Sequence, residues 1–319
     1  MNSRQYLPSA ALLILLLWTN HQAGATCGAT TFQPISKFVP SGTTHNAYYL
    51  TDPAGQQRAV FDIVWGGALA SLKQNGVERV WGNATGGMVQ PAFHTFPNGQ
   101  DYNPTQAGDQ NNKGSAVMGV RCIDSNTLYI MSGTLDYNRG MSGYIISNTV
   151  LNGAVVSNSY ATPYTVGTIA SFVPNPAGSP AYYLKLEQTI TNFHSTSNLP
   201  FGFELAGYVP YTFTYQVRYP ASCATVDNNC YNSATPDLLG GLYPNANLTN
   251  GTAFFVSPQT AWDPNQRTFV SLATDDINQN QSTHLFTENW VLPPGSSRTV
   301  TWYVLVGSWS TALSFAQSM

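Results

Sequence analysis

Charged side chains are scarce in this sequence. Asp, Glu, Lys and Arg make up 8% of its 319 residues, against roughly 25% in ordinary soluble domains. Removing the leader predicted below takes away Arg4 and leaves 11 of the 12 basic residues against 15 acidic ones, a balance of −4. This balance, without a Lys/Arg cluster, argues against nucleic acid or an anionic membrane as partner. The amides, hydroxyls and aromatic rings present instead are typical of a secreted protein with a neutral polar surface. They also suit sugars, which makes an oligo- or polysaccharide the expected partner if the surface binds a ligand.

Motifs that would indicate a cofactor or a metal are also missing. The sequence has no G-x-S-x-G, no H-E-x-x-H and no glycine-rich phosphate loop. Its four cysteines include no C-x₂-C pair, which argues against zinc bound through thiolates. Asp227 and the Asp275-Asp276 pair lack the spacing of an EF-hand calcium loop. We therefore expect neither a cofactor nor a bound metal.

No 12-residue window keeps a helical apolar period free of Gly or Pro, so any helix should be short. Strand-like runs recur instead along the chain, separated by turn signals such as Asn75-Gly76 and Pro294-Gly295. No linker or fixed-period repeat divides them. This pattern predicts an all-β fold of two large antiparallel sheets packed face to face, with negligible helix, in a single domain over residues 26–319.

The first 25 residues read as a signal peptide. Arg4 supplies the positive end, an apolar core runs from Ala10 to Trp18, and Ala23-Gly24-Ala25 fits a cleavage site. The apolar core is shorter than the roughly 20 residues that a membrane-spanning helix needs. We expect an exported protein, extracellular or periplasmic, without a membrane anchor after cleavage.

The four cysteines are Cys27, Cys122, Cys223 and Cys230. An even count in an exported chain favours two disulfides, for which sequence alone allows three connectivities. The short loop between Cys223 and Cys230 favours that pair. Cys27 and Cys122 would then tie the mature N-terminus to an early strand.

Three segments resemble the galactose mutarotase-like superfamily. They read FDIVWGGALASLKQNGVERVWG from Phe61, EQTITNFHSTSNLPFGF from Glu187 and WVLPPGSSRTVTWYVLVG from Trp290. The resemblance implies a β-supersandwich, found in aldose 1-epimerases and in whole or part of polysaccharide lyases and glycoside hydrolases. Epimerases of this superfamily use two histidines and a carboxylate, but the stretch Phe203–Tyr208, where the second histidine would fall, has none. An ordinary epimerase is therefore disfavoured, and a lyase or hydrolase is favoured.

Most candidate site residues come from a long segment, residues 82–110, that shows no periodicity, and from the apolar run FGFELAGY at Phe201. Two others are Arg121, at the end of the run AVMGVRC, and Trp262, an aromatic residue in a predicted loop. Long irregular loops in compact domains are commonly functional, and histidine can transfer protons near neutral pH. In FGFELAGY, alternation places Glu204 on the face opposite Phe203 and Leu205. The predicted catalytic residues are His94, Glu204, Tyr208 and Tyr102, and the predicted substrate-binding residues are Gln90, Asp109, Arg121 and Trp262.

We expect His94, Tyr102, Arg121, Glu204 and Tyr208 to line one concave surface. Each residue also has a structural interpretation: the histidine could stabilise its loop, Glu204 could sit on a solvated face, and Arg121 could form a salt bridge. Two functional alternatives to a glycan-cleaving enzyme therefore stay open. One is a non-catalytic carbohydrate-binding protein, and the other is a surface protein whose loops contact another protein.

Overall fold

A computed structural model describes the parts of the chain that follow: residues 24–33, 42, 44–63, 67–81, 90–95, 100–102, 113–136, 144–146, 149–151, 154–156, 160–162, 164–192, 196, 198–211, 213–221, 237–258, 267–275 and 280–319. Of these residues, 62% are in strands and 7% in helix. The predicted all-β class is confirmed.

The described residues form 22 strands, and all pairings between them are antiparallel. In chain order they are β1 (Thr26–Phe32), β2 (His45–Thr51), β3 (Gln57–Asp62), β4 (Ala68–Gln74), β5 (Val77–Trp81), β6 (Gln90–Thr95), β7 (Gln100–Tyr102), β8 (Lys113–Asp124), β9 (Thr127–Asp136), β10 (Tyr144–Ile146), β11 (Thr149–Leu151), β12 (Ala154–Val156), β13 (Tyr160–Thr162), β14 (Tyr164–Pro174), β15 (Tyr182–Asn192), β16 (Leu199–Val209), β17 (Tyr215–Tyr219), β18 (Leu239–Tyr243), β19 (Gly251–Val256), β20 (Arg267–Asp275), β21 (Asn280–Leu292) and β22 (Ser297–Gly307).

Three sheets account for 20 of these strands, and β10 pairs with β13 separately. The N-terminal sheet is a meander in the order β1-β2-β3-β4-β5. The large sheet has ten strands in the order β12-β11-β8-β9-β14-β15-β22-β19-β18-β17. A third sheet, which we call the site sheet, has the order β20-β21-β16-β6-β7. Its central strand, β16, therefore pairs on both sides with residues more than 70 positions away in the sequence.

A shared apolar core joins these sheets. Its fully buried residues come from the N-terminal sheet, including Phe61 and Leu72, and from the large sheet, including Leu186 and Trp302. The site sheet contributes Val209 to the same core. Burying apolar surface on one face of each strand is the main favourable term in such a sandwich, and β15 shows the required period of two in its burial.

A disulfide connects the N-terminal sheet to the large sheet. Cys27 in β1 bonds to Cys122 in β8, across 95 residues of sequence. This pairing is confirmed. Cys223 and Cys230 lie outside the described residues, and their pairing stays a prediction.

One helix, α1 (Trp309–Ser318), follows the last strand. Ser308 is its N-cap, and the Ser308 hydroxyl accepts a hydrogen bond from the backbone N–H of Thr311 at 3.3 Å. The helix covers the outer face of the large sheet, where Phe315 makes edge contacts with Tyr183 and Tyr303, both at ring-centroid distances of 5.1 Å. Its ten residues agree with the expectation that any helix would be short. No helix in the part of the chain that the structure describes is long and apolar enough to span a membrane.

The expectation of an irregular segment over residues 82–110 is wrong in two places. β6 and β7 lie within it and pair with each other, and β6 also pairs with β16. The sequence QPAFHT of β6 has no clear alternation, and Pro91 within it argues against an inner strand. Pairing with a distant strand overrides these local signals.

Candidate functional site

The strand register of the site sheet brings His94 and Glu204 close together in the sheet. In the β6–β16 pairing, His94 is opposite Gly202 and Glu204 is opposite Ala92. His94 and Glu204 are therefore diagonal neighbours at positions of one face, since facing residues share a face and every second residue returns to it. Such diagonal pairs have Cα atoms about 7–8 Å apart.

The two faces of the site sheet can be identified from its ends. Val209, at the end of β16, is 3% exposed in the core, and Leu292, opposite Leu199, is 5% exposed. Odd-numbered positions of β16 therefore lie on the core face. Glu204 is an even-numbered position and belongs to the opposite face, which we call the site face.

Every histidine, arginine, aspartate and glutamate of the five site-sheet strands occupies a position of the site face. The pairings are regular between β20 and β21, between β6 and β7, and along β16 from Phe203 to Val209. The core face instead carries positions such as Phe93, Phe203, Leu205 and Leu285. The histidine, arginine and acidic positions of the site face are Asp101, His94, Glu204, Arg267, Asp275, His284 and Glu288.

One row of the site face crosses all five strands. Asp101 is opposite His94, which is opposite Gly202. On the other side of Gly202, a β-bulge places two residues of β21, Glu288 and Asn289, against this single glycine. Glu288 is in turn opposite Arg267. The row therefore has a position without a side chain at its centre, and titratable positions on both sides. Bulges are common beside active sites, where they redirect a side chain.

The other predicted residues are distributed unevenly. Gln90, opposite Ala206, and Tyr208, opposite Ser282, hold site-face positions. Tyr102 is opposite Phe93, at a position of the core face, so the register separates it from His94. Asp109 and Trp262 lie outside the described residues.

Arg121 belongs to the large sheet and not to the site sheet. It is the cross-strand partner of Tyr129, and its guanidinium carbon is 5.7 Å from the centre of the Tyr129 ring. Leu128 and Ile130, the neighbours of Tyr129 in β9, are buried in the core. Arg121 and Tyr129 therefore occupy the outer face of the large sheet, and Arg121 is exposed. Its expected place beside His94 stays without support.

Four residues of the central row and its surroundings were not among the predicted site residues: Asp101, Arg267, His284 and Glu288. The available signal was alternation in the segment HLFTENW, which places His284 and Glu288 on the same side. The pairing that aligns this segment with FGFELAGY depends on a contact between strands about 80 residues apart. It therefore could not be deduced from either segment alone.

Titratable groups elsewhere serve local structure. Burial raises the pKa of Glu78, which accepts hydrogen bonds from the Ser71 hydroxyl at 2.7 Å and from the Leu72 backbone N–H at 2.9 Å. These bonds close a bulge between β4 and β5. Burial also raises the pKa of Tyr211 to about 12, and its hydroxyl donates to the Leu242 carbonyl at 3.1 Å.

A second histidine–carboxylate pair lies in the N-terminal sheet. The Nδ1 atom of His45 is 2.7 Å from Oδ2 of Asp62, and the side chains are 8% and 0% exposed. The pair links the start of β2 to the end of β3, deep in the meander. Among the described side chains, no group of three or more His, Cys, Asp or Glu could hold a metal ion.

No family model matches this sequence, and none of the curated proteins matches it. Several solved structures align with most of the chain at low TM-scores. A protein assigned as an aldose 1-epimerase from Klebsiella pneumoniae has a TM-score of 0.46 and 11% identity, covering 91% of this chain and 95% of its own. A TPR-domain containing protein from Parabacteroides distasonis has a TM-score of 0.43 and 9% identity, covering 90% of this chain. This chain spans 56% of the length of that protein.

A 4-alpha-glucanotransferase from Thermococcus litoralis has a TM-score of 0.39 and 9% identity, covering 86% of this chain and 39% of its own. Structural similarity at this level does not indicate an activity. The proposal that follows rests on the residues and register of this chain.

Proposed function

We propose that this protein is an exported carbohydrate-active enzyme that binds a glycan over the site face and cleaves it by proton transfer. The observation that carries the proposal is the register of the site sheet, which collects every histidine, arginine, aspartate and glutamate of five strands on one face, several of them in the row that contains Gly202. A sheet built only to bury its core would not need two histidines and several carboxylates in neighbouring strands.

The proposed roles follow from the chemistry of the groups. His94 transfers a proton, with Asp101 on the neighbouring strand at the position from which a carboxylate can orient an imidazole. Glu204 acts as acid, base or nucleophile toward the glycosidic bond. Tyr208 and Gln90 supply hydroxyl and amide groups that hydrogen-bond sugar hydroxyls. Arg121, Asp109 and Trp262 remain candidates for contacts with the more distant parts of a long glycan.

The test is a screen of the exported protein against neutral and acidic polysaccharides, with products and binding both measured. We expect turnover, and we expect Glu204→Gln and His94→Gln to lower it by about 10²–10⁴-fold with unchanged melting temperatures. Glu187→Gln is the matched control, because Glu187 forms an ion pair with Lys185 at 2.9 Å on the outer face of the large sheet.

Binding without any product would favour the alternative of a non-catalytic carbohydrate-binding protein. That alternative is supported by the low charge and the amide-rich and hydroxyl-rich composition, which a neutral sugar surface needs even without catalysis. If the protein neither binds nor turns over any glycan, the proposal is wrong.

A further inference from the structure

We infer that the site face hydrolyses a neutral glycan, with Glu288 as the second carboxyl that works together with Glu204. This inference rests on the proposed function and narrows it in two respects. It selects hydrolysis over elimination, and it excludes acidic polysaccharides as substrates. The juxtaposition that carries it is the pair of glutamate positions beside Gly202.

Glu204 and Glu288 are diagonal neighbours on paired strands. Glu204 is opposite Phe286, and Glu288 lies two residues further along β21, at the bulge that faces Gly202. Diagonal positions of this kind have Cα atoms about 7–8 Å apart. Glycosidases place two carboxyl groups about 5–9.5 Å apart on either side of the bond that they cleave. The spacing of these two positions is compatible with that requirement, and the adjacent position, Gly202, carries no side chain that would occupy the space of a sugar ring.

The cross-strand neighbours of the two glutamates differ in the way that distinct acid and base roles require. Glu204 has Ala92 on one side and Phe286 on the other. Apolar neighbours favour the protonated form of a carboxyl, which is the form that a general acid needs. Glu288 has Arg267 as its partner in β20. A neighbouring guanidinium favours the ionised form, which suits a base or a nucleophile.

The reaction then balances with water as the only co-reactant. Glu204 gives its proton to the glycosidic oxygen as the bond from that oxygen to the anomeric carbon breaks. Where water attacks the anomeric carbon directly, Glu288 accepts the proton of that water, and the two carboxyls return to their starting states by exchanging one proton with solvent. Where Glu288 instead bonds to the anomeric carbon, the ionised Glu204 accepts the proton of the water that then displaces Glu288, and both carboxyls are restored. One water is consumed on either route.

The charge of the site face selects the substrate. Four acidic positions, Asp101, Glu204, Asp275 and Glu288, stand against one permanent cation, Arg267. A polyanionic chain of uronates or sulfated sugars would be repelled from such a surface. Elimination from a uronate also needs positive charge to neutralise the substrate carboxylate, and Arg267 is already opposite Glu288. A neutral glycan meets neither obstacle.

The experiment compares Glu288→Gln and Glu187→Gln in the exported protein on neutral and on uronate-containing polysaccharides. Glu187 lies outside the site sheet, on the outer face of the large sheet, where it forms an ion pair with Lys185. We expect reducing ends only from neutral glycans, a loss of at least about 10²-fold in Glu288→Gln, and near-parental activity in Glu187→Gln. The pH–rate profile should also lose its acidic limb in Glu288→Gln, which a merely structural role would not change.

Three outcomes would overturn the inference. The first is turnover of a uronate polymer with absorbance near 230–240 nm from an unsaturated product, which would leave the proposed function standing with elimination as its chemistry. The second is full activity of Glu288→Gln with Glu204→Gln inactive, which would show that Glu204 has another partner. The third is a Glu288→Gln variant that loses activity only as far as it loses stability.

Discussion

Removing the disulfide between Cys27 and Cys122 should destabilise the protein substantially. The bond closes a loop with a sequence separation of 95 residues between the N-terminal sheet and the large sheet. In the chain-entropy description, a loop of this length corresponds to about 4–5 kcal/mol of stabilisation, because the crosslink restricts the unfolded chain. For a chain of this size that corresponds to a melting temperature lower by roughly 7–8 °C.

The perturbation is the double variant Cys27→Ala/Cys122→Ala, which leaves no free thiol at this site. Urea unfolding followed by fluorescence gives the free energy of unfolding for variant and parent. The comparison is Cys223→Ala/Cys230→Ala, where the predicted bond would close a loop of about 7 residues and contribute about 2–3 kcal/mol. If the long-loop variant unfolds within about 1 kcal/mol of the parent, the entropic reasoning is wrong for this protein.

Three further predictions concern described side chains. Trp302→Phe removes the donor that hydrogen-bonds Gln188 Oε1 at 2.7 Å in the core, and calorimetry should show a loss of about 1–3 kcal/mol because the buried acceptor is left unsatisfied. Phe315→Ala should cost about 3 kcal/mol in urea unfolding by uncovering the outer face of the large sheet, and an unchanged midpoint would mean that α1 is dispensable. Burial raises the pKa of Asp52, whose Oδ1 accepts from the Gln56 N–H at 2.8 Å. The favourable contribution of Asp52 to the free energy of unfolding is therefore complete below the unfolded pKa of about 3.9. It is lost as the pH rises through the pKa of Asp52 in the folded state. Asp52→Asn, which keeps the acceptor, should raise the melting temperature at pH 7 and leave it unchanged at pH 3, and an equal shift at both pH values would contradict this account.

The fold could be predicted in outline because its signals are local. Alternation in KLEQTITN, turn residues such as Asn75-Gly76, and the absence of an uninterrupted helical period all identify strands without reference to a partner. The Asn75 φ of 49° and the Gly76 φ of 79° show the left-handed turn conformation that this dipeptide favours. The short loop and even cysteine count likewise led to the Cys27–Cys122 pairing.

The candidate site could be predicted only in part, since it depends on which distant strands pair. Alternation within FGFELAGY placed Glu204 opposite the apolar positions, which agrees with the register. The same reasoning could not separate Tyr102 from His94, because their strands were read as one irregular loop. Glu288 was missed because its importance comes from the bulge opposite Gly202, and a bulge is a property of a strand pair.

The bulge opposite Gly202 also determines on which face of the sheet the even-numbered residues of β21 lie. Before it, even-numbered positions such as His284 and Glu288 belong to the site face, whereas after it the even-numbered Leu292 is buried in the core and Val291 is 50% exposed. The single extra residue allows one strand to serve a polar surface along most of its length and a hydrophobic interior at its end. Deleting Asn289 would therefore not shorten the strand harmlessly. It would move the side chains of one of these two segments to the opposite face of the sheet. Insertions and deletions at this point should therefore be far less tolerated than any single substitution there.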